Sequence, residues 1–573
     1  MPEVKKRDVQ VLPLGLDTIV MRSRTWDRLK FEVEYSLQRG TTANSYLIQA
    51  DKIALIDPPG ESFTETFLTA VRQHLDLTKL DYVILGHVNS NRGVTLKVLL
   101  DLAPQLSFVC SNPAAIALRA IFPDRALKIT VMRGEETLDL GKGHHLQFIP
   151  TPSPRWPDSL CTYDPQTQIL YTDKLFGAHV CSDQLFDEGW AVLEEDRRYY
   201  FDCLFASQIR HVETALDRLV PLPVKFYAPG HGPLVRYGLT ELTHAYRRWA
   251  SDQNQTGITV ALIYASAYGN TATLAQAIAR GITKAGVGVE SINCEFADPT
   301  EIQEAVEKST GFIIGSPTLG GHAPTQIQTA LGTVLSIAAK TKLAGVFGSY
   351  GWSGEAIDLI EGKLREAGYQ FGFEPIRVKF KPTDVTLQHC KEAGTDFAQA
   401  LKRAKKTRVL RQQTSVSHSA RIEQAVGRIV GSLGVLTAKR GNLTSAMLAS
   451  WVSQATFNPP GFTVAVAKDR AIESLMHIGD KFVLNILAEG KQLRKHFLKP
   501  FGPGEDRFPD VATVEAQNGC PILTGALAYL EGSVHSRMEC GDHWVIYAVV
   551  DNGKVFQPEG VTAVHHRKSG SYY

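Results

Sequence analysis

Short apolar runs that end in polar turns recur along the chain and dominate its middle part. Three of them, residues 260–264, 311–315 and 343–348, are separated by stretches with apolar positions at helical spacing. Buried strands that alternate with helices predict a doubly wound parallel sheet. In such a sheet the turns after the strands lie at one edge, where ligands bind. These turns are residues 266–271, 316–321 and 349–354.

The first turn, Ser266-Ala-Tyr-Gly-Asn-Thr, has the composition of a phosphate site. It places backbone N–H groups and hydroxyls at the start of a helix, where unpaired donors and the helix dipole favour an anion. It has no lysine and lacks the Gly-Lys-Ser/Thr ending of a nucleoside triphosphate loop. We therefore predict a phosphate monoester as the ligand; a capped turn without a ligand is the alternative. Tyr268, Tyr350 and Trp352 are candidates for stacking on a flat ring.

Residues 256–402, with these three turns, resemble flavodoxin. The resemblance implies FMN, with its phosphate at the first turn and its isoalloxazine ring at the other two. The FMN contacts that the resemblance implies are Ser266, Tyr268, Gly269, Asn270, Thr271, Ser316, Pro317, Thr318, Leu319, Gly320, Ser349, Tyr350, Gly351, Trp352, Ser353 and Gly354.

Length and charge limit the classes of protein to consider. At 573 residues the chain is too long for one core and predicts about three to four domains. The net charge of +2, from 61 basic and 59 acidic residues, gives no basic field for nucleic acid. No apolar stretch reaches about 18 residues, so membrane insertion and secretion are disfavoured. The eight cysteines form no Cys-x-x-Cys pair, and we expect a cytoplasmic protein with reduced thiols.

Residues 30–250 contain a second set of strands whose carboxyl ends carry polar loops. Alternation in residues 42–48 and the apolar run 53–56 predict a hairpin. Further buried strands are predicted at residues 80–85, 146–149, 169–172 and 225–228. We expect one site where the loops after these four strands meet, at residues 86–93, 151–159, 173–177 and 229–233.

The order and spacing of these loops resemble the metallo-β-lactamase fold, and more narrowly the oxygen-reducing part of flavodiiron proteins. The element Trp-Pro-Asp-Ser at 156–159 and the flavodoxin-like part after it favour that family over hydrolases. In the family the first loop contains His-x-Glu-x-Asp-His, and the later loops supply a histidine, a bridging aspartate and a histidine. The positions that match these ligands are His87, Asn89, Asn91, Arg92, Arg155, Lys174 and His231.

These substitutions leave too few ligands for two iron ions. Three carboxylates are lost and three cations are added; arginine stays protonated, and amide oxygens are weak neutral ligands. We therefore do not expect iron in this chain, and we expect a pocket that attracts an anion or closes through hydrogen bonds and ion pairs. Asp173, beside Lys174, is not expected to act as a displaced ligand, and a zinc hydrolase is disfavoured for the same reason. His144, His145 and His179 are expected to be structural or surface residues.

Strands dominate residues 422–573, where helices are few. The predicted strands indicate a closed or partly closed barrel and lie at residues 428–431, 434–438, 462–467, 482–486 and 544–550. Two segments between strands, 441–447 and 449–460, combine hydroxyls, backbone donors and aromatic side chains that suit a second flavin.

This part resembles the split-barrel flavin reductases. The resemblance implies bound FMN or FAD, with the Gly-Asp-His element at 541–543 near the flavin and the nicotinamide. A barrel in which this tripeptide is only a turn is the alternative. No Gly-x-Gly-x-x-Gly follows a strand, so NAD(P)H is expected to bind transiently on the flavin face. The flavin contacts implied by the resemblance are Asn442, Thr444, Ser445, Ser450, Ser453, Gln454 and His543.

Two polar segments separate the three parts. Residues 251–256 form a short first linker, which follows a predicted helix at 239–250. The basic run 401–411 is expected to be the solvated last turn of a helix, followed by a linker at 412–419; a nucleic-acid site is the less favoured interpretation.

The order of the three parts resembles the long flavodiiron proteins of oxygenic phototrophs over essentially the whole chain. The resemblance implies a multidomain α/β and β protein: a metallo-β-lactamase-like αβ/βα sandwich (30–250), a flavodoxin-like doubly wound sheet (256–402) and a split β-barrel flavin reductase (422–573). It also implies electron transfer from NAD(P)H through two flavins to oxygen, which becomes water. Because the metal positions are substituted, we expect a homo- or hetero-oligomer with a related chain whose di-iron site is intact.

Two other functions remain open at this point. The chain could be an autonomous NAD(P)H:flavin or acceptor reductase whose first part only supports dimerisation. It could also be a regulatory subunit whose basic pocket binds an anion. Neither the choice between NADH and NADPH nor the use of a ferredoxin-like donor follows from the sequence.

Overall fold

The computed structural model describes residues 6–27, 30–31, 33–35, 39–134, 136–254, 257–410, 418–490, 492–499 and 501–567. The chain divides into two compact units, Met1–Gln255 and Thr256–Tyr573. Most of the predicted linker 412–419, and part of the predicted linker 251–256, lie outside the described residues. None of the described helices is long and apolar enough to cross a membrane.

The described residues of the first unit form two mixed sheets, one small two-stranded sheet and six α-helices. The strands are β1 (Asp8–Gly15), β2 (Thr18–Thr25), β3 (Lys30–Phe31), β4 (Glu34–Tyr35), β5 (Thr41–Gln49), β6 (Ile53–Ile56), β7 (Tyr82–Ile84), β8 (Ser107–Cys110), β9 (Lys128–Val131), β10 (Thr137–Asp139), β11 (His145–Pro150), β12 (Leu160–Asp164), β13 (Ile169–Asp173) and β14 (Phe226–Pro229). The helices are α1 (Thr64–His74), α2 (Gly93–Leu102), α3 (Asn112–Ile121), α4 (Glu194–Leu204), α5 (Ile209–Leu219) and α6 (Leu239–Asn254).

The two sheets of this unit pack face to face between layers of helices. One sheet has the order β1-β2-β5-β6-β7-β8-β9 and the other the order β10-β11-β12-β13-β14. Buried apolar side chains from both sheets, such as Ile84 and Leu146, form the central core. The outer face of each sheet is covered by its own helices, so the unit is the predicted αβ/βα sandwich.

The second unit begins with a doubly wound parallel sheet. Its strands are β15 (Thr259–Tyr264), β16 (Gly288–Asn293), β17 (Gly311–Pro317), β18 (Leu343–Tyr350), β19 (Gln370–Phe371) and β20 (Ile376–Lys379). Its helices are α7 (Asn270–Lys284), α8 (Pro299–Lys308), α9 (Thr325–Ile337), α10 (Glu355–Glu366) and α11 (Asp384–Leu410). The order is β16-β15-β17-β18-β19, and β20 also pairs with β18. β17 is buried along its whole length because helices cover both faces of the sheet.

The rest of the second unit is an antiparallel barrel-like sheet with the order β23-β22-β26-β29-β30-β25-β24. The helices are α12 (His418–Val426) and α13 (Gln492–Leu498), with a 3-10 turn at Ala471–Leu475. The strands are β21 (Gly431–Ser432), β22 (Gly434–Arg440), β23 (Leu443–Ala449), β24 (Val452–Phe457), β25 (Pro460–Ala467), β26 (Lys481–Ile486), β27 (Thr513–Glu515), β28 (Pro521–Leu523), β29 (Ala528–Cys540), β30 (His543–Val555) and β31 (Val564–His565).

Two local predictions in this part were wrong. The segments 441–447 and 449–460 were expected to connect strands, whereas most of their residues form β23 and β24. Their hydroxyl-rich composition hid a regular alternation, since Ser445, Met447 and Ala449 are buried while Thr444 is exposed. A strand was expected at 428–431, but α12 ends at Val426 and only Gly431 belongs to a strand.

Candidate functional site

Arg92 lies at the centre of a polar pocket in the first unit. It ends a one-turn 3-10 helix, Ser90–Arg92, which follows β7 and is capped by the Asn89 side chain. The buried guanidinium donates from Nη1 to Asp57 Oδ1 at 2.7 Å and from Nη2 to Asp173 Oδ1 at 2.9 Å. Nη1 also donates to the His87 carbonyl oxygen at 2.7 Å. One arginine therefore connects the ends of three strands.

Asp57 and Asp173 are the acidic partners of Arg92. Asp57 directly follows β6 and Asp173 ends β13; both have positive φ values, 51° and 44°. Burial and the nearby Asp173 charge raise the pKa of Asp57, against the effect of Arg92. Burial acts the same way on Asp173, but the charges of Lys174 and Arg92 outweigh it and hold the pKa of Asp173 well below its usual range. The carboxylates thus offset the cations of the pocket.

The two histidines that match family ligands have protein partners. His231 Nδ1 donates to the Thr42 carbonyl oxygen at 2.7 Å. Burial and the charge of Lys174 lower the pKa of His231 to about 4, so its ring is neutral near pH 7. His87 Nδ1 donates to Asp158 Oδ1 at 2.8 Å. These bonds orient both rings.

The other substituted positions divide between the pocket and its surroundings. Asn91 Oδ1 accepts from the Glu61 N–H at 3.2 Å, and Lys174 is buried with Nζ 6.0 Å from the ring centre of Trp156. Arg155 does not line the cavity: it donates to the Cys203 carbonyl oxygen at 3.0 Å and lies over Trp156. The expectation that Arg155 adds its charge to the pocket was therefore wrong, because an aromatic face and a backbone carbonyl hold it elsewhere.

The pocket encloses a cavity of about 250 Å³. Its polar lining includes Thr41, Thr42, Asn44, Asp57, Asn89, Asn91, Arg92, Lys174, His179 and His231. Among the described residues, no three His, Cys, Asp or Glu side chains are grouped so that they could hold a metal ion. Sequence reasoning missed Asp57 and Asp173 as partners of Arg92; the position of Asp57, directly after an apolar strand, was the available signal.

The three predicted phosphate and ring loops lie together in the second unit. Their strands are neighbours in parallel register, with Tyr264 opposite Gly315 and Pro317 opposite Ser349. Thr271 Oγ1 lies 2.8 Å from Ser349 Oγ and so joins the first loop to the third. The loops therefore meet at the carboxyl edge of the sheet.

The first loop leads directly into the N-terminus of α7. Gly269, with φ +80°, caps α7, and the Ala272 N–H donates to Ser266 Oγ at 3.0 Å. In the second loop, Thr318 Oγ1 is buried without a hydrogen-bond partner. Glu295, which sequence reasoning missed, accepts from the Ser266 N–H at 3.3 Å. Burial raises the pKa of this carboxyl above its usual range.

Aromatic side chains stand open at this edge. Tyr268 is 85% exposed and Trp352 is 90% exposed, whereas Tyr350 is partly buried against the core. Ser316 and Pro317 lie within β17 and are buried, so they shape the loop from below. The remaining predicted contacts, Asn270, Leu319, Gly320, Gly351, Ser353 and Gly354, lie in or next to the same loops.

In the barrel the predicted flavin residues fall into two groups. The rings of Trp451 and His543 lie 4.9 Å apart, which places Ser450 close to the Gly-Asp-His element. Ser450 Oγ and Ser445 Oγ are buried without hydrogen-bond partners. Asn442 precedes β23 and Ser450 follows it, so the seven residues of this strand lie between them. At a rise of 3.4 Å per residue, the strand is about 24 Å long. The side chains of three other predicted flavin contacts are exposed: Thr444, Ser453 and Gln454.

These folds and loops are those of a diflavin member of the flavodiiron oxidoreductases, and the chain belongs to that family. Three family models match in succession: the ODP family beta lactamase at 41–232, flavodoxin at 262–394 and the flavin reductase like domain at 426–571. The matched parts agree with the sandwich, the doubly wound sheet and the barrel-like sheet described above.

Related proteins match the chain over nearly its whole length. The chain is 69% identical to putative diflavin flavoprotein A 6 of Nostoc sp. (strain PCC 7120), with 100% of each chain covered. It is 66% identical to putative diflavin flavoprotein A 3 of Synechocystis sp. (strain PCC 6803), covering 99% of this chain and 96% of that one. A structure of the metal soaked Flv1 flavodiiron core from Synechocystis sp. PCC6803 is 67% identical, with TM-score 0.67; it covers 70% of this chain and 100% of that chain.

Proposed function

We propose that this chain transfers electrons from NAD(P)H through two flavins toward the reduction of oxygen to water. It does so as one member of an assembly whose other member, a related chain, has an intact di-iron site. The family and the two flavin-type folds support the electron-transfer role. The substituted pocket supports the need for a partner.

The observation that carries this proposal is the ion-pair network of Arg92. Its guanidinium bonds to Asp57, which lines the cavity, at 2.7 Å and to the buried Asp173 at 2.9 Å. Arginine cannot give up its proton or donate a lone pair to a metal. A di-iron centre therefore does not fit these residues. The carboxylates of Asp57 and Asp173 balance the positive charge of Arg92 within the chain.

The edge formed by residues 266–271, 316–320 and 349–354 fits FMN. Backbone N–H groups at the start of α7 suit its phosphate, and the unpartnered Thr318 hydroxyl suits a polar atom of its ring. Tyr268 and Trp352 offer aromatic faces for stacking. A flavin supplies the ability to accept a hydride and release single electrons. The chain supplies binding, orientation and exclusion of water from the inner face of the ring.

In the barrel, Ser445, Ser450 and His543 are the residues we assign to FMN or FAD. The two serine hydroxyls are buried without partners, as expected where a ligand completes the hydrogen bonds. His543 Nδ1 donates to Asp542 at 2.8 Å, which fixes its ring beside Trp451. NAD(P)H would approach the open side of this site.

The test combines metal analysis with oxygen uptake on the purified full-length chain. We expect two flavins per chain, less than one tenth of an iron atom per chain after iron loading, and slow oxygen uptake equal to that of the released flavin. Adding an iron-replete relative should restore rapid water-forming turnover. Iron near two atoms per chain, with rapid turnover by the chain alone, would contradict the proposal.

A matched variant isolates the barrel step. Replacing Ser450 with valine removes one unpartnered hydroxyl without changing the charge, and it should lower the barrel flavin content while the FMN of the flavodoxin-like part stays bound. Full activity with NAD(P)H and oxygen in the absence of a relative would instead favour an autonomous reductase.

A further inference from the structure

The last described strand of the barrel part brings Arg567 next to the residues that we assign to the barrel flavin. In this strand, β31, His565 lies opposite Gly431 of β21. Gly431 lies against the backbone of Ser450, since a Cβ on this glycine would be 2.2 Å from the Ser450 carbonyl oxygen. The alternation of β31 continues past its end, because His565 and Arg567 are shielded and the residue between them is exposed. The C-terminal segment therefore lies beside Ser450.

The Arg567 guanidinium has an aromatic contact but no hydrogen bond to the protein. Its Cζ atom lies 4.8 Å from the ring centre of Trp451, and the same ring is in contact with His543. Arg567 is only 8% exposed. Among the residues that the structure describes, none accepts a hydrogen bond from this guanidinium. Because a buried charge without a partner is costly, a ligand that supplies acceptors is expected here.

A second cation lies close to Arg567. Arg494 of α13 donates from Nη2 to His565 Nδ1 at 3.3 Å. Burial, and then the positive charges of Arg494 and Arg567, lower the pKa of His565, so its ring is neutral near pH 7 and can accept this bond. Within the described parts of the chain, no carboxylate forms an ion pair with either arginine. The positive charges of the two guanidiniums are therefore not balanced by the protein.

The other polar groups of this region fit an anion with several acceptor oxygens. Ser450, which precedes Trp451 in the chain, is buried, and its Oγ has no hydrogen-bond partner. Asp542, the carboxylate of the Gly-Asp-His element, bonds to His543 Nδ1 at 2.8 Å. Guanidinium and hydroxyl groups are common donors to phosphate oxygens, and a phosphate monoester carries nearly two negative charges near pH 7. Two unbalanced cations and one hydroxyl match such a group.

We propose that Arg567, assisted by Arg494, binds the phosphate monoester of a nucleotide that the barrel uses. This inference rests on the proposed function, since it assumes that the barrel binds a flavin and reacts with NAD(P)H. Two nucleotides carry such a group: FMN has a terminal phosphate, and NADPH has a 2′-phosphate that NADH lacks. The cation–π contact with Trp451 orients the guanidinium for this ligand. Arg567 positions the nucleotide and takes no part in hydride transfer.

Replacing Arg567 with glutamine in the full-length chain tests the proposal and identifies the nucleotide. If the group is the FMN phosphate, bound FMN should fall from two to one per chain, and riboflavin binding should change less than twofold. If it is the 2′-phosphate, kcat/KM for NADPH should fall about tenfold, through KM, while the value for NADH stays within twofold. Unchanged values, or equal losses for the compounds with and without the phosphate, would overturn the proposal.

Matched variants separate the lost contact from a general loss of charge or of folding. Arg428→Gln removes the same charge from an exposed position just before β21 and should behave like the wild type. Arg567→Lys keeps the charge but loses the planar fork of the guanidinium, so its loss should be intermediate, about threefold. If circular dichroism shows that Arg567→Gln does not fold, Arg567→Lys and Arg494→Gln provide the same comparison.

Inorganic phosphate distinguishes failure of this inference from failure of the proposed function. In a titration followed by phosphorus NMR, the flavin-free wild type should bind one more phosphate ion per chain than Arg567→Gln. If the barrel holds no flavin and does not react with NAD(P)H, the proposed function fails, and the phosphate titration then decides this inference by itself. Equal phosphate binding by the two proteins would overturn it.

Discussion

At the scale of single residues, the pocket of the first unit depends on charge balance around Arg92. Counting only the matched ligand positions predicted an excess of cations, but Asp57 and Asp173 bond to the guanidinium. Arg155, counted as a third cation, points to the Cys203 carbonyl instead. Of the two sequence-based alternatives, closure by ion pairs is the one observed. A regulatory anion site loses its main support.

Replacing Arg92 with alanine should destabilise the first unit strongly. The change leaves Asp57 and Asp173 facing each other in a buried site, which typically costs about 3 to 5 kcal/mol. Urea unfolding of the full-length chain, followed by tryptophan fluorescence, measures this loss. The control is Arg125→Ala, which removes an exposed pair with Asp101 and should cost less than about 1 kcal/mol. Equal effects of the two substitutions would contradict the role of Arg92.

Asp196 predicts a pH dependence of stability. Burial, with a smaller contribution from Glu195, raises its pKa to about 6 although Arg39 acts in the opposite direction. The fold thus favours the protonated carboxyl, so the stabilisation is complete below the unfolded pKa and is lost as the pH rises through about 6. Between pH 5 and pH 8 this loss is about 1 kcal/mol, at 1.36 kcal/mol for each unit of pKa shift.

The variant Asp196→Asn should not show this loss. The difference in unfolding free energy between variant and wild type should therefore move by about 1 kcal/mol in favour of the variant from pH 5 to pH 8. Asp202→Asn, in a partly exposed pair with Arg198, is the matched control. If the unfolding free energies of both variants change with pH as that of the wild type does, burial does not raise the Asp196 pKa.

At the scale of elements, the sites form where strands end. The carboxyl ends of β15, β17 and β18 were predicted from apolar runs, and their neighbouring positions in one parallel sheet bring the three loops together. In the barrel the same approach failed for β23 and β24, because hydroxyl-rich segments can form strands when only alternate residues are buried. Alternation of buried and exposed residues, which occurs where one face of a sheet is solvated, predicts a strand less clearly than a continuous apolar run does.

Replacing Thr318 with valine should weaken FMN binding and leave the fold unchanged. Its hydroxyl has no partner in the protein, so losing it should cost the apoprotein less than about 0.5 kcal/mol. A lost ligand hydrogen bond is worth about 1 kcal/mol, roughly a fivefold higher dissociation constant. Fluorescence titration of the apoprotein with FMN gives this constant. Thr333→Val, on the exposed side of α9, is the control and should bind FMN like the wild type.

At the scale of the whole molecule, the described residues form two compact units with two large sheets in each. The flavodoxin-like sheet and the barrel share one unit through a row of polar contacts, here called the seam, which includes Lys284 with Glu473 and Gln399 with Asp469. No motif in the sequence indicated these contacts. The seam residues are ordinary charged and polar side chains on helix ends and turns, and their partners are up to 189 positions away, as for Lys284 and Glu473. Such pairs form only when helices and strands that are far apart in the sequence pack against each other.

Replacing Lys284 with methionine should loosen the seam. Glu473 would keep Arg537 but lose its partner on α7, so the two sheets should separate more often. Amide hydrogen exchange in the 3-10 turn Ala471–Leu475 should then accelerate about tenfold, equivalent to about 1.4 kcal/mol. Lys308→Met, in an exposed pair with Glu304, should leave that exchange unchanged. Unchanged exchange in both variants would show that the ion pair does not hold the sheets together.

The sequence alone determined the three fold types and predicted the loops that would carry ligands, because apolar periodicity and turn composition are local properties. The family resemblance also predicted which metal positions are substituted. Only the tertiary structure decided which charges meet: Arg92 with Asp57 and Asp173, Arg155 with a carbonyl, and Lys284 with Glu473. The physical reason is that electrostatic energy depends on distance and burial, which residues far apart in the chain acquire only when their elements pack.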